Sequence, residues 1–138
     1  MPHYSLARFL VVTAIFWASL YIYVPVLAPH AQNLGASMGL VGIVVSAYGF
    51  PQLLLRIPIG VWSDRIGARK PFILAGIIAA ALSGLGLAVS ADPWWLVVFR
   101  GISGMAAGVW AVFTVFIASY FPPERVTRAR SLVTCVGA

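Results

Sequence analysis

Four uninterrupted apolar runs constrain this chain more than any other feature of its sequence. They cover residues 9–28, 40–62, 72–89 and 94–120, and about 20 helical residues suffice to cross a bilayer. Because lipid offers the backbone no hydrogen-bond partner, a run of this length must pair its amides within one helix. A membrane β-barrel needs short segments of alternating polarity, which the sequence lacks. The runs therefore predict an all-α, multi-pass helical bundle with four spans.

The composition places this bundle in lipid. Of the 138 residues, 62% are apolar and 9% are charged, whereas soluble domains carry about 25% charged residues. Residues 128–138 begin a further apolar helix after Pro122 and Pro123, and the chain ends about half-way through that crossing. We expect a truncated N-terminal portion whose missing C-terminal remainder is a partner in function.

The basic residues alternate between the two sides of the predicted bundle. Seven of the nine precede span one, join spans two and three, or follow span four: Arg8, Arg65, Arg69, Lys70, Arg125, Arg128 and Arg130. The opposite connections, 29–39 and 90–93, contain none. The positive-inside rule therefore predicts a cytoplasmic N-terminus, in the cell membrane. The net charge of +6 then reflects topology and anionic headgroups, and does not indicate a nucleic-acid partner.

The two remaining basic residues, Arg56 and Arg100, lie inside spans. An arginine at mid-membrane costs about 2.5–3.5 kcal/mol on insertion scales, so such a side chain usually faces a bundle interior, a partner or water. Arg56 could instead extend past Trp62 to the membrane edge, and Arg100 could extend outward past Trp94. Both are candidates for a substrate or coupling path.

Polar and aromatic side chains fall on one face of two spans. Span two carries Tyr48, Gln52, Arg56 and Gly60 at intervals of four, and span one carries Thr13, Trp17 and Tyr21 one turn before Pro25. Positions i, i+4 and i+8 share a face of a helix. We predict that Tyr48, Gln52, Trp17 and Tyr21 line the path, although the last two could equally be interfacial or packing aromatics.

The connection between spans two and three combines charge with glycine. Gly60 leaves room for another helix, and Gly67 is free to adopt a positive φ. Asp64 offers a carboxylate to Arg65 or Arg69. An ordinary basic hairpin carrying topology signals would also explain these residues.

Residues 60–71, read as Gly-x-x-x-Asp-Arg-x-Gly-x-Arg-Lys-Pro, resemble the signature loop of the major facilitator superfamily. The series from Arg100 through Gly104 to Gly108, with Ser103 where Gln is common, and Phe-Pro-Pro-Glu-Arg at 121–125 are similar to further elements of that family. The resemblance covers the whole chain. It implies part of the N-terminal six-helix half of a transporter that works by alternating access around a central site.

The resemblance also implies roles for individual residues. It places a cytoplasmic gate at Gly60, Asp64, Arg65, Gly67, Arg69 and Lys70, and it places Arg100 close to the substrate or coupling region. Gly104 and Gly108 indicate close helix packing, and a sliding surface is the less economical interpretation. The expected function is secondary active transport of an unknown small molecule. No span contains an acidic residue, so we expect any proton carrier after Ala138.

Three other functions fit less well. A small four-helix exporter relies on a glutamate in its first helix, and residues 9–28 contain no acidic residue. A non-transporting scaffold or assembly subunit needs only packing faces, which leaves the arginines inside the spans unexplained. An enzyme is not expected, because no catalytic constellation or phosphate-binding loop is present. We predict no cofactor and no metal, and Cys135 alone cannot form a thiolate cluster.

Overall fold

The computed structural model describes residues 3–119, Thr127, 130–132 and 134–135, with side chains from residue 7 onward. In this part of the chain the only regular secondary structure is α-helix. The helices are α1 (His3–Tyr21), α2 (Val24–Asn33), α3 (Met38–Ser46), α4 (Gly49–Ile66), α5 (Lys70–Val89), α6 (Pro93–Gly108) and α7 (Trp110–Ala118). They form four segments long and apolar enough to cross a membrane: Ala7–Asn33, Met38–Ile66, Lys70–Val89 and Pro93–Ala118. The predicted fold class is confirmed.

Three of the four spans consist of two helices joined by a short break. The breaks lie at residues 22–23, 47–48 and Val109. Prolines account for the first two, because Pro25 and Pro51 have no backbone N–H and cannot bond the carbonyl four residues earlier. Span three, which is α5, continues without a break.

Local chemistry sets several helix ends. The Asp92 side chain accepts a hydrogen bond from the Trp94 N–H at 2.9 Å and caps α6, and the Ser37 hydroxyl accepts one from the Leu40 N–H at 3.3 Å and caps α3. Gly67 ends α4 with φ +68°. A left-handed residue at this position is usually glycine, since a Cβ is strained there, and the positive φ predicted for Gly67 is confirmed.

The helix ends differ from the predicted span ends by a few residues. Span one continues to Asn33 although it contains Pro29, so its connection to α3 covers 34–37 instead of 29–39. Several sequence features lie outside the described residues: Pro122, Pro123, Glu124, Arg125, Arg128, and the predicted end of span four at residue 120. The predicted fifth helix, 128–138, is described only at 130–132 and 134–135, which are helical.

Span four is the centre of the described bundle. Half of the most apolar 18-residue stretch of this span is buried, against 11% of the corresponding stretch of span two. Within span four, α6 packs on α3, α4 and α5. One apolar cluster includes Phe16, Leu20, Val112 and Phe113, and a second includes Leu27, Val44, Leu87 and Leu96. The outer surface exposes large apolar side chains such as Leu53, Ile57 and Val89. Such a surface suits acyl chains as solvent.

Candidate functional site

A buried cation lies inside the bundle, between helices of three spans. Arg100 on α6 is only 4% exposed. Its Nη1 donates a hydrogen bond to the Tyr23 hydroxyl at 3.1 Å, and its Cζ lies 4.4 Å from the Tyr48 ring centroid and 5.4 Å from the Tyr23 ring centroid. A cation–π contact contributes about 0.5–2 kcal/mol, and the larger values apply where water is excluded. Aromatic groups of spans one and two therefore hold the guanidinium.

Arg100 has no carboxylate partner among the described residues. Asp64 pairs with Arg69, Asp92 caps α6, and the third acid of the chain, Glu124, lies outside the described residues. Arg100 Nε is buried and has no hydrogen-bond partner. No group of three or more metal-ligating side chains forms in this part of the chain. Arg100 thus retains the capacity to bind an anionic or hydrogen-bond-accepting group.

Two helix breaks and one glycine bring the tyrosines to Arg100. Tyr23 lies in the break between α1 and α2, and Tyr48 in the break between α3 and α4. A Cβ at Gly104 would overlap the Tyr48 carbonyl group, so the close approach of the two backbones depends on glycine. Ser103, one turn after Arg100, donates its hydroxyl hydrogen to the Arg100 carbonyl at 2.7 Å. This bond lies within α6 and leaves the guanidinium free of a Ser103 contact.

An aromatic wall, formed by Trp17, Tyr21, Tyr48 and Trp110, continues from the Arg100 site. Tyr48 and Tyr21 have ring centroids 6.1 Å apart and hydroxyls 3.4 Å apart. Trp17 stacks on Tyr21 at 5.4 Å and meets Trp110 edge to face at 5.1 Å. The Trp17 Nε1–H is buried without an acceptor. The wall therefore combines three spans and offers an unused hydrogen-bond donor.

Of the four-residue stripe predicted on span two, only Tyr48 contacts Arg100. Tyr48 contacts Arg100, whereas Gln52 is half-buried and Arg56 is exposed, and neither is a hydrogen-bond or ring partner of Arg100. An α-helix has 3.6 residues per turn, so a stripe at intervals of four drifts around it. The side chains of Gln52 and Arg56 consequently do not meet Arg100.

Two members of the site, Tyr23 and Trp110, are not among the residues predicted from the sequence. Tyr23 lies off the stripe of span one because the helix break changes the face on which later residues lie. Trp110 carried a usable signal: a tryptophan near the middle of a span is displaced from the membrane interface, where this residue is usually found.

The connection between α4 and α5 contains an ion pair. Arg69 Nη2 lies 3.5 Å from Asp64 Oδ1, with side-chain exposures of 29% and 59%. Arg65 is exposed, and Lys70 begins α5 and is also exposed. Arg69 Nε is buried without a hydrogen-bond partner. Both Arg65 and Arg69 were possible partners of Asp64 from the sequence. Asp64 pairs with Arg69, because the left-handed turn at Gly67 directs the chain back toward α4.

The glycines predicted to allow helix contact differ in their surroundings. A Cβ at Gly108 would lie 3.7 Å from Leu55 and Ile59 side-chain atoms, which is ordinary packing, and Gly104 makes the closer contact described above. A Cβ at Gly60 would meet no atom within 4 Å. The close approach predicted at Gly60 is therefore not made by any helix in the described part of the chain, because α4 presents Leu55 and Ile59 to its neighbours.

Comparisons with known proteins converge on one family. A family model described as Major Facilitator Superfamily matches residues 9–138. Inner membrane transport protein YajR of Escherichia coli is 36% identical over 97 residues, which cover 70% of this chain and 21% of that protein. No solved structure gives a significant match.

Two further relatives are named for resistance to drugs. Tetracycline resistance protein, class E, of Escherichia coli is 33% identical over 62% of this chain and 21% of its own length. Multi-drug resistance efflux pump PmrA of Streptococcus pneumoniae is 30% identical over 78% of this chain and 28% of its own length. The chain thus spans about a fifth to just over a quarter of the relatives that it matches.

Proposed function

The chain belongs to the Major Facilitator Superfamily, and we propose that its spans form part of a secondary active transporter that moves a small solute by alternating access. The relatives that it matches are several times longer. In the proposed transporter, further helices complete the solute path and close the gate.

The observation that carries this proposal is the buried Arg100 cation with its aromatic partners. A charge inside a membrane span is costly unless it is paired or used. Within the described residues it is held by Tyr23 and Tyr48 alone, with Nε unsatisfied. We assign Arg100 and the aromatic wall to the solute path, with Gln52 and Arg56 facing the helices that complete it.

We assign gating to the connection between α4 and α5. The Asp64–Arg69 pair is exposed enough to break and re-form at low cost, since such pairs contribute about 0–1 kcal/mol. Arg65, Lys70 and the left-handed turn at Gly67 complete this gate. The basic residues of this connection and Arg8 also support a cytoplasmic N-terminus in the cell membrane.

We propose small aromatic solutes as cargo, exported from the cell. The aromatic wall presents ring faces from three spans, and stacked or edge-to-face ring contacts contribute about 0.5–1.5 kcal/mol each. The names of two relatives, a tetracycline resistance protein and a multi-drug resistance efflux pump, support the same class. Tetracycline is therefore the first probe.

Uptake of tetracycline into inverted membrane vesicles tests the transport proposal. Cells express the intact transporter, and a pH gradient energises the vesicles. Arg100→Ala should slow uptake at least about ten-fold, because hydrogen bonds of a charged group contribute about 1.5–3 kcal/mol. Arg130→Ala is the matched control, since Arg130 is exposed. Equal uptake by the two variants would exclude Arg100 from the path, and unchanged uptake after collapse of the gradient would exclude secondary active transport.

Labelling of one cysteine from both sides of the membrane tests alternating access. Cys135 is the only cysteine of these 138 residues, so Cys135→Ser, together with serine in place of any cysteine in the remainder of the transporter, provides the background for Gln52→Cys. A membrane-impermeant maleimide should label residue 52 from either side, with substrate changing the ratio of the two rates. Labelling from one side only, under all conditions, contradicts the proposal.

A non-transporting scaffold is the competing function. It requires packing faces such as those of Gly104 and Gly108, and gives Arg100 and its two tyrosines no role. The vesicle experiment separates the two functions, because a scaffold shows no gradient-dependent uptake of any probe.

A further inference from the structure

We propose that the groove between spans one and three holds one anionic phospholipid, with its phosphate on Arg8 and Lys70 and an acyl chain along the groove. This site is separate from the proposed solute path and does not depend on it. It lies at one end of the described bundle, on the surface that the described helices leave open.

The groove combines an apolar floor with two cations. It has a volume of about 360 Å³, and its apolar lining is Phe9, Val12, Ile73, Leu74, Phe113 and Phe116. Arg8 and Lys70 line the same groove. Both stand at the N-terminal ends of their spans, and spans one and three run in the same direction. The two cations therefore meet at one end of the groove, at the depth where a membrane changes from acyl chain to headgroup.

Neither cation is neutralised within the described residues, where the one ion pair joins Arg69 to Asp64. A second cavity of about 450 Å³ adjoins the groove and shares Lys70 with it. Arg69 lines that cavity and has a buried, unpaired Nε. Arg69 is paired with Asp64, so Arg8 and Lys70 are the two cations that the groove offers to an anion. Basic pockets between transmembrane helices are suited to anionic headgroups.

The lining favours a lipid over other occupants. Val12 is 42% exposed and Leu74 is 59% exposed, so the apolar floor is open to acyl chains from the side. A soluble phosphate would contact the cations and leave this floor unused. A further helix of the protein would also cover the floor, and a crosslink from residue 12 identifies that occupant.

Native mass spectrometry of the detergent-solubilised protein tests the proposal, with phosphatidylglycerol as the anionic probe and phosphatidylcholine as its zwitterionic counterpart. Phosphatidylglycerol should bind at least ten-fold more tightly. Each basic side chain near an anionic surface contributes about five-fold, so Arg8→Ala with Lys70→Ala should weaken phosphatidylglycerol binding about thirty-fold. Arg65→Ala with Arg130→Ala is the matched control, because it also removes two charges and both arginines are exposed and line neither cavity.

A second variant tests the groove without changing charge. Val12→Trp places a bulky indole ring in the floor at an exposed position and should weaken the binding of phosphatidylglycerol at least five-fold. An unchanged melting temperature is the folding control. Equal loss in the control, Arg65→Ala with Arg130→Ala, would assign binding to net charge and overturn the proposal. Unchanged binding in Val12→Trp, or competition by glycerol phosphate at the same concentration, would assign a soluble anion. Failure of both lipids to bind, with a crosslink from residue 12 to a later helix, would assign a protein segment.

Discussion

Replacing Gly104 by alanine should force α6 away from the break between α3 and α4. The new Cβ would overlap the carbonyl group of Tyr48 and would lie 3.1 Å from the Tyr48 Cα. These are backbone atoms, so no rotamer change can relieve the contact. Overpacking of this kind costs about 1–3 kcal/mol. The movement also carries the Tyr48 ring away from Arg100, whose Cζ lies 4.4 Å from its centroid.

Gly101→Ala is the matched control, one turn earlier on the same helix. A Cβ at Gly101 would have the Ala47 carbonyl oxygen as its nearest neighbour, at 3.9 Å, which is ordinary contact. Alanine is favoured over glycine in a helix interior by about 0.8–1.0 kcal/mol. The control should therefore be neutral or stabilising. Both variants gain this helix preference, so their free energies of unfolding should differ by the overpacking cost alone, about 1–3 kcal/mol.

The melting temperature of the detergent-purified protein, followed by size-exclusion chromatography after heating, measures this difference. One kcal/mol shifts the melting temperature of a domain by about 2–8 °C, depending on its size. Gly104→Ala should therefore melt at least about 2 °C below Gly101→Ala, and should also transport more slowly. Equal melting temperatures together with unchanged transport would refute both the close approach at Gly104 and its role in placing Tyr48.

Three further substitutions test single contacts. Tyr23→Phe removes the hydroxyl that accepts from Arg100 and should slow transport about ten-fold or more, whereas wild-type rates would show that the bond is dispensable. Arg100→Lys keeps the charge but not the flat guanidinium over the Tyr48 ring, so transport should stay low; full recovery would mean that charge alone suffices. Gly67→Ala should cost about 1–2 kcal/mol because φ is +68°, whereas Gly60→Ala, in open space, should not lower the melting temperature; equal melting temperatures would contradict the assigned turn.

Much of the site could be predicted from the sequence, because a charged or polar side chain inside a span is costly in lipid and so faces the bundle interior, a partner or water. The sequence predicts Arg100, Trp17, Tyr21 and Tyr48 as members of the site, and the structure brings them together. Gln52 was chosen on the same helical spacing and lies off the Arg100 contact. Spacing alone could not show this, because Tyr48 lies in the break between α3 and α4 whereas Gln52 lies on α4, and a stripe at intervals of four drifts around a helix.

The sequence by itself determined that this chain is a four-span helical membrane protein, because apolar runs of that length can satisfy their backbone in lipid only as helices. It also determined which arginines are exceptional, since burial of a charge in lipid is costly wherever the helix packs. The tertiary structure alone decided which residues meet Arg100. The breaks near Pro25 and Pro51 turn successive helices to new faces, so Tyr23 joins the site and Arg56 does not, and contacts between spans follow from packing that no local pattern encodes.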